Sequence, residues 1–129
     1  MDKVLSIVFA NIATVFIYIF GGVDAALLCL IIAIIIDYIS GIIKAYVIKE
    51  LSSSIGLKGI LKKVGILCIV ALSVLIDRIT GETGAIRTLV IYYFVANEGL
   101  SILENLAAAG VPFPNSLKKS LKAIKKENK

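Results

Sequence analysis

Asp37, Gly41 and Lys44 recur at i, i+4 and i+7 of an apolar stretch, with Ser40 beside them. On a helix this spacing gathers a carboxylate, a gap and an ammonium on one face, a polar stripe that would meet another helix or water. The competing reading ends the helix near Tyr38 and leaves these residues at a membrane interface. A second constellation lies further along, where Arg87, Glu98, Glu104 and Asn105 are assigned to one flank of a helix, with Ser101 and Asn97 on the adjacent strip. Ile91 and Phe94 interrupt that flank, so the polar stripe proper belongs to the second half of the helix. The opposite flank, with Leu89, Tyr92, Ala96, Leu100, Leu103 and Ala107, is mostly apolar. A helix of this kind lines an aqueous lumen, packs its polar flank on other subunits, or lies flat at an interface. An ionisable group inside a membrane span costs roughly 2.5 to 3.5 kcal/mol on insertion, so each of these residues needs a partner or water.

Catalysis is poorly supplied. The chain has no histidine, and its two cysteines, Cys29 and Cys68, each sit within an apolar run. The usual general base near neutral pH is missing. Without histidine or a Cys-x-x-Cys pair neither a metal site nor a cofactor is expected, and the thiols read as small apolar filler rather than a disulfide.

The elements that must position these residues are membrane helices. Of 129 residues 59% are hydrophobic and 18% charged, well above the apolar share of a soluble domain. The run from Val4 to Ile36 holds one charged residue, Asp24. Four spans are expected, at about 4–20, 25–43, 64–79 and 85–109. The glycine-rich, acidic segments 21–24 and 80–84 suit tight turns, which predicts two transmembrane helical hairpins in an all-α integral membrane fold. Val23-Asp24-Ala25 is loosely like a cleavage site, but the apolar run resumes at once, so no signal peptide is expected. The third span is short, about 24 Å at 1.5 Å per residue, and spans only if Lys62 and Lys63 reach to one interface and Asp77 and Arg78 to the other. A three-span layout, with 4–20 on the surface, is the alternative.

Between the hairpins Lys44, Lys49, Lys58, Lys62 and Lys63 face one acid, Glu50. The lysine-rich tail, 116–129, follows a membrane domain of residues 1–115. It carries Lys118, Lys119, Lys122, Lys125, Lys126 and Lys129 against Glu127, and accounts for the whole net charge of +5. Positive-inside asymmetry puts both segments, and both termini, in the cytoplasm. Leu57, Ile60, Leu61 and Val64 beside Lys58 and Lys62 predict a basic amphipathic approach to the third span, along the inner leaflet. Beyond Pro112-Phe113-Pro114 a stripe of Leu117, Leu121 and Ile124 runs through the tail. Lys58, Lys62, Lys63, Lys118, Lys119, Lys122, Lys125 and Lys126 are therefore assigned to an anionic lipid surface. Nucleic acid is not expected, because the tail lacks arginine and interleaved aromatics. The glycines favour close helix approach and hence a homo-oligomer.

Asp37-Tyr38-Ile39-Ser40-Gly41, Gly56-Leu57-Lys58-Gly59 with Lys62-Lys63, Asn97-Glu98-Gly99-Leu100-Ser101-Ile102-Leu103-Glu104-Asn105 and Gly110-Val111-Pro112-Phe113-Pro114 resemble the phage-lysis and toxin-secretion holins. The similarity runs from about Asp37 to Leu121, and the Asn-Glu-Gly block followed by Gly-Val-Pro is its most specific part. The resemblance implies a small protein of the bacterial inner membrane that oligomerises abruptly into a lesion releasing an endolysin or a toxin, with no enzyme activity and no cofactor. A small ion-coupled transporter, using Asp37 or Glu98, and an antiholin are the competing functions. Met1 is the sole methionine, so an internal methionine start is not expected to yield a shortened inhibitor.

Overall fold

The computed structural model describes residues 2–127; Met1 and Lys129, both used in the sequence reading, lie outside them. The described residues form five helices and no strands: α1 (Lys3–Phe20), α2 (Ala25–Val47), α3 (Ser53–Thr80), α4 (Ala85–Ala108) and α5 (Asn115–Glu127). The first four are long and apolar enough to cross a membrane.

Local chemistry sets their ends. Asp24 caps α2 by accepting from the Leu27 N–H at 3.0 Å, and Ser52 caps α3 through the Ile55 N–H at 3.2 Å. Gly21 and Gly81 end α1 and α3 in the left-handed region, at φ 77° and 75°. The N-cap of α4 is Gly84, which has no side chain to offer; Asp77 of α3 takes over, accepting from the N–H groups of Ile86 and Arg87 at 3.0 and 2.9 Å.

Two boundaries depart from the sequence reading. α2 runs on to Val47, so Asp37, Ser40 and Lys44 lie inside a continuous helix and the alternative of an end near Tyr38 does not hold. α3 begins at Ser53, so the expected interfacial approach and the short third span are one helix of 28 residues, about 42 Å long. Its length is ample, and snorkelling is not needed to make it span.

α4 lies at the centre, packed most extensively on α2 and also against α5 and α3. Leu27, Leu30, Val70 and Ile91, one or two from each of these three long helices, are fully buried and form the core. α1 packs along α3 rather than along its sequence neighbour α2, and has no buried residue. Its exposed Val4, Ile7, Phe9 and Ile12 are the surface expected of a lipid-facing helix. Cys29 and Cys68 are free and outward-facing.

Candidate functional site

Two polar clusters occupy the interior, one on either side of the apolar core. In the first, Lys63 of α3 reaches between α2 and α4, where its Nζ bonds Asp37 and donates to Glu98 Oε2 at 2.6 Å. Asn105 of α4 donates from Nδ2 to Asp37 Oδ1 and Ser40 Oγ, both at 3.0 Å, and Ser40 donates to the Asp37 carbonyl at 2.9 Å. Asp37 is 6% exposed and Glu98 2%. Two carboxylates therefore share one ammonium, a buried group with formal charge −1. Among the described residues no buried side-chain polar atom lacks a partner.

A cavity of about 260 Å³ opens beside this cluster, lined by Asp37, Tyr38, Gly56, Lys63, Ser101 and Asn105 among others. It lies between α2 and the first half of α3, where Gly56 leaves room for the Tyr38 hydroxyl, 3.3 Å from where a Cβ would stand.

The second cluster is 11 residues away along α4, about 16 Å. Arg87 is 7% exposed and grips Asp24 with two bonds, Nη1 to Oδ2 at 2.8 Å and Nη2 to Oδ1 at 3.1 Å. Its Nε donates to the Phe20 carbonyl at 2.6 Å and its Nη2 to Gly22 at 3.1 Å, so the α1–α2 turn is sewn to the start of α4. A Cβ on Gly21 would lie 3.0 Å from Arg87 Cδ and Nε, which makes glycine necessary there for space as well as for φ.

The Arg87 guanidinium holds the Asp24 carboxyl down to about 2, from an ordinary value of 3.8, with help from the Leu27 N–H. A carboxylate depressed in the folded state stabilises above its unfolded value and loses that contribution as pH falls through the folded one. The Asp24–Arg87 contribution is thus expected to be intact at pH 5 and to fade between about pH 4 and pH 2. Thermal unfolding of the detergent-solubilised protein checks this. Asp24→Asn should flatten the acid limb of the stability profile, and an unchanged limb would show that the pair contributes nothing there.

Several sequence-predicted site residues meet here and others do not. Asp37, Ser40, Glu98 and Asn105 form the first cluster, and Ser101 lines its cavity. Lys63, assigned from sequence to the lipid surface, turns inward instead, because two buried carboxylates need its charge. Arg87 belongs to the separate second cluster. Glu104 is exposed: six residues at about 100° each set it about 240° around the helix from Glu98, so it does not share that flank. Lys44 is half-buried on α2 and stands outside the cluster. Asn97 faces α5, accepting from Lys125 Nζ at 2.9 Å, so Lys125 also differs from its lipid-surface assignment. Lys58, Lys62, Lys119, Lys122 and Lys126 are exposed and Lys118 half-exposed. The apolar flank of α4 does not all face outward, since Ala96 and Leu103 are buried.

Sequence reasoning missed Asp24, Asp77 and the inward role of Lys63. A signal for two of them exists: Lys63, Val70 and Asp77 recur every seven residues and so share one face of α3, as do Ile91, Glu98 and Asn105 on α4.

Four membrane-length helices whose buried charges are partnered inside and whose outer surfaces are largely apolar define a multi-pass membrane protein. The chain belongs to the bacteriophage holin family, whose model matches residues 14–126. It is 46% identical over 115 residues to a 14.9 kDa protein from the nagH 3′ region of Clostridium perfringens, covering 88% of this chain and 87% of the relative. It is 38% identical over 111 residues to a protein named "Probable holin" from Bacillus phage phi105, covering 86% and 82%, and likewise 38% identical over 111 residues to YqxH of Bacillus subtilis, covering 86% and 79%. No solved structure matches the chain. The family is one of non-enzymatic membrane proteins.

Proposed function

We propose that this protein is a holin that accumulates in the bacterial cytoplasmic membrane, assembles into homo-oligomers and opens a lesion through which an endolysin, or a toxin, leaves the cell. The observation that carries the reading is the Asp37–Lys63–Glu98 cluster, a charged group satisfied within one protomer and bordered by a cavity. A lone protomer can sit harmlessly in the membrane, because its buried charged groups are paired and its lipid-facing surface is largely apolar. In a large assembly the same groups can turn to water at no comparable cost. The two arrangements are alternatives because neither exposes charge to lipid. Asp37, Ser40, Ser101, Asn105 and Glu98 are the side chains that make the exchange, with Lys63 moving from partner to hydrated cation.

The purified protein in vesicles tests this. Release of an entrapped protein, abrupt above a threshold protein-to-lipid ratio, is the expected result. Saturable passage of one small ion, with the protein cargo retained at every ratio, would instead fit an ion-coupled transporter built on the same carboxylates. Suppression of release when the chain is mixed with an active holin would fit an antiholin.

The lysines set the orientation, with the α2–α3 connection, the exposed Lys58 and Lys62 of α3 and the α5 segment cytoplasmic and both termini inside, over four spans. The basic side chains of α5 then meet anionic lipid of the inner leaflet. With Cys29 and Cys68 replaced by serine, Ser53→Cys and Ser120→Cys should be shielded from an impermeant thiol reagent in intact cells, while Thr83→Cys reacts. Labelling of the Ser53 and Ser120 positions from opposite sides would rule out the α3–α4 hairpin.

A further inference from the structure

α2 and α3 are the least closely packed of the neighbouring helix pairs, and the cleft between α2 and the first half of α3 stays open. Ser52, Gly56, Gly59 and Lys63 recur along one face of α3 at intervals of three or four residues and line it. The Tyr38 ring lies over the glycines, 3.6 Å from where a Cβ on Gly59 would stand. Deep in the cleft the cavity is polar, with Asp37, Ser101 and Asn105, whereas its outer walls, Ile42, Leu51 and Ile55, are apolar and 42%, 60% and 57% exposed. A groove lined by Leu57 and Ile60 continues it, sharing Tyr38, Ile42 and Leu51. Counted from the glycine turns, Tyr38 lies about 21 Å along α2 from Asp24 and Gly56 about 36 Å along α3 from Thr80. The cavity therefore straddles the level at which about 30 Å of hydrocarbon gives way to headgroups.

Charge selects the occupant. The charged residues of the lining are Asp37, Lys62 and Lys63, a sum of +1; Glu98 lies behind Lys63 and is not among them. Lys63 is committed to the two carboxylates. Lys62 is exposed with no acidic partner among the described residues, and Lys58, one turn away, is exposed as well. Their two charges outweigh the −1 of the buried cluster, so the mouth is positive. We propose that the α2–α3 cleft binds one anionic phospholipid, with its phosphate at Lys62, its polar head in the cavity and an acyl chain along Ile42, Leu57 and Ile60. The Asn105 amide nitrogen is used by Asp37 and Ser40, which leaves its oxygen to accept from a headgroup hydroxyl, so a glycerol head fits. A free anion gains nothing from the apolar walls, and a phosphatidylcholine brings its own cation towards the lysines. The site takes from the holin reading only the four spans, and is independent of any lesion.

The chain has no tryptophan, so a single introduced one reports on one place. The full chain carrying Ile42→Trp, in the cleft, or Ile43→Trp, equally exposed on α2 but outside it, is reconstituted in phosphatidylcholine vesicles. Phosphatidylglycerol or phosphatidylcholine brominated near the glycerol end of its chains is then added as quencher. Quenching of Ile42→Trp should be half-maximal at a several-fold lower fraction of brominated phosphatidylglycerol than of brominated phosphatidylcholine, while Ile43→Trp is quenched alike by both. In the Ile42→Trp protein Lys62→Gln should remove most of the preference and Lys62→Arg keep it, whereas Lys122→Gln, exposed on α5, leaves it unchanged. Equal quenching of Ile42→Trp by the two lipids, the same preference at Ile43→Trp, or full preference with Lys62→Gln would each overturn the site. Loss of the preference on adding inorganic phosphate at constant ionic strength would overturn the lipid assignment in favour of a free anion. If the preference is absent while the vesicles still release protein cargo, the lipid site is wrong and the holin reading stands. A preference without cargo release would separate the two the other way.

Discussion

Lys63→Met is expected to eliminate the folded protein from the membrane. It leaves Asp37 and Glu98 buried side by side with no cation between them, and removing one partner of a buried ion pair costs about 3 to 5 kcal/mol. That is a large part of the roughly 5 to 15 kcal/mol that holds a typical domain folded. The defect should be repaired by charge rather than shape: Lys63→Met combined with Asp37→Asn and Glu98→Gln should accumulate again, because the neutral amides restore balance. Immunoblotting of the membrane fraction, with thermal unfolding in detergent, measures both. Normal accumulation of Lys63→Met alone would mean that the ammonium does not neutralise the two carboxylates in the membrane.

The same cluster gives the opposite result when the excess charge is removed. Glu98→Leu leaves Lys63 with Asp37 as a balanced pair, roughly keeps size, and extends the apolar surface of Ile91 and Phe94 along α4. The closed protomer should therefore insert and accumulate as before, whereas its interior has lost a group that gains by meeting water. Lysis is expected to be abolished with the protein still in the membrane. Culture turbidity after induction, alongside the amount in the membrane fraction, is the readout. Complete and well-timed lysis by Glu98→Leu would remove Glu98 from the gate and direct attention to α2 around Asp37 and Ser40.

These opposite outcomes depend on a geometry only partly legible in the sequence. The four helices could be read from hydropathy because lipid imposes long apolar runs, and the glycine turns could be read from their composition. The start of α3 at Ser53 was harder: Lys58, Lys62 and Lys63 resemble an interfacial segment until it is known that one of them is drawn inward. Asp37, Glu98 and Asn105 stood out because charge within an apolar run demands an account. Their partner did not, since a lysine at the edge of a span has an easy solvent-facing explanation. The Arg87–Asp24 grip joins residues 63 apart in the chain, and no helical periodicity reports on a contact between a turn and a distant helix start. Glu104 misses the flank on simple angular grounds, and the packing of α5 on α4 was not legible because an amphipathic basic stripe fits a lipid surface and an apolar helix face equally well.

The central claim, that this chain opens the membrane to macromolecules after a silent period, is most directly tested by inducing it in a bacterium that also expresses a cytoplasmic muralytic enzyme lacking its own export route. Membrane potential, viability and appearance of the enzyme outside the membrane are followed together in one culture. The account predicts a delay with potential intact, then simultaneous collapse of potential, loss of viability and release of the enzyme. Gradual depolarisation from the onset of expression, with the enzyme retained in the cytoplasm, would contradict it.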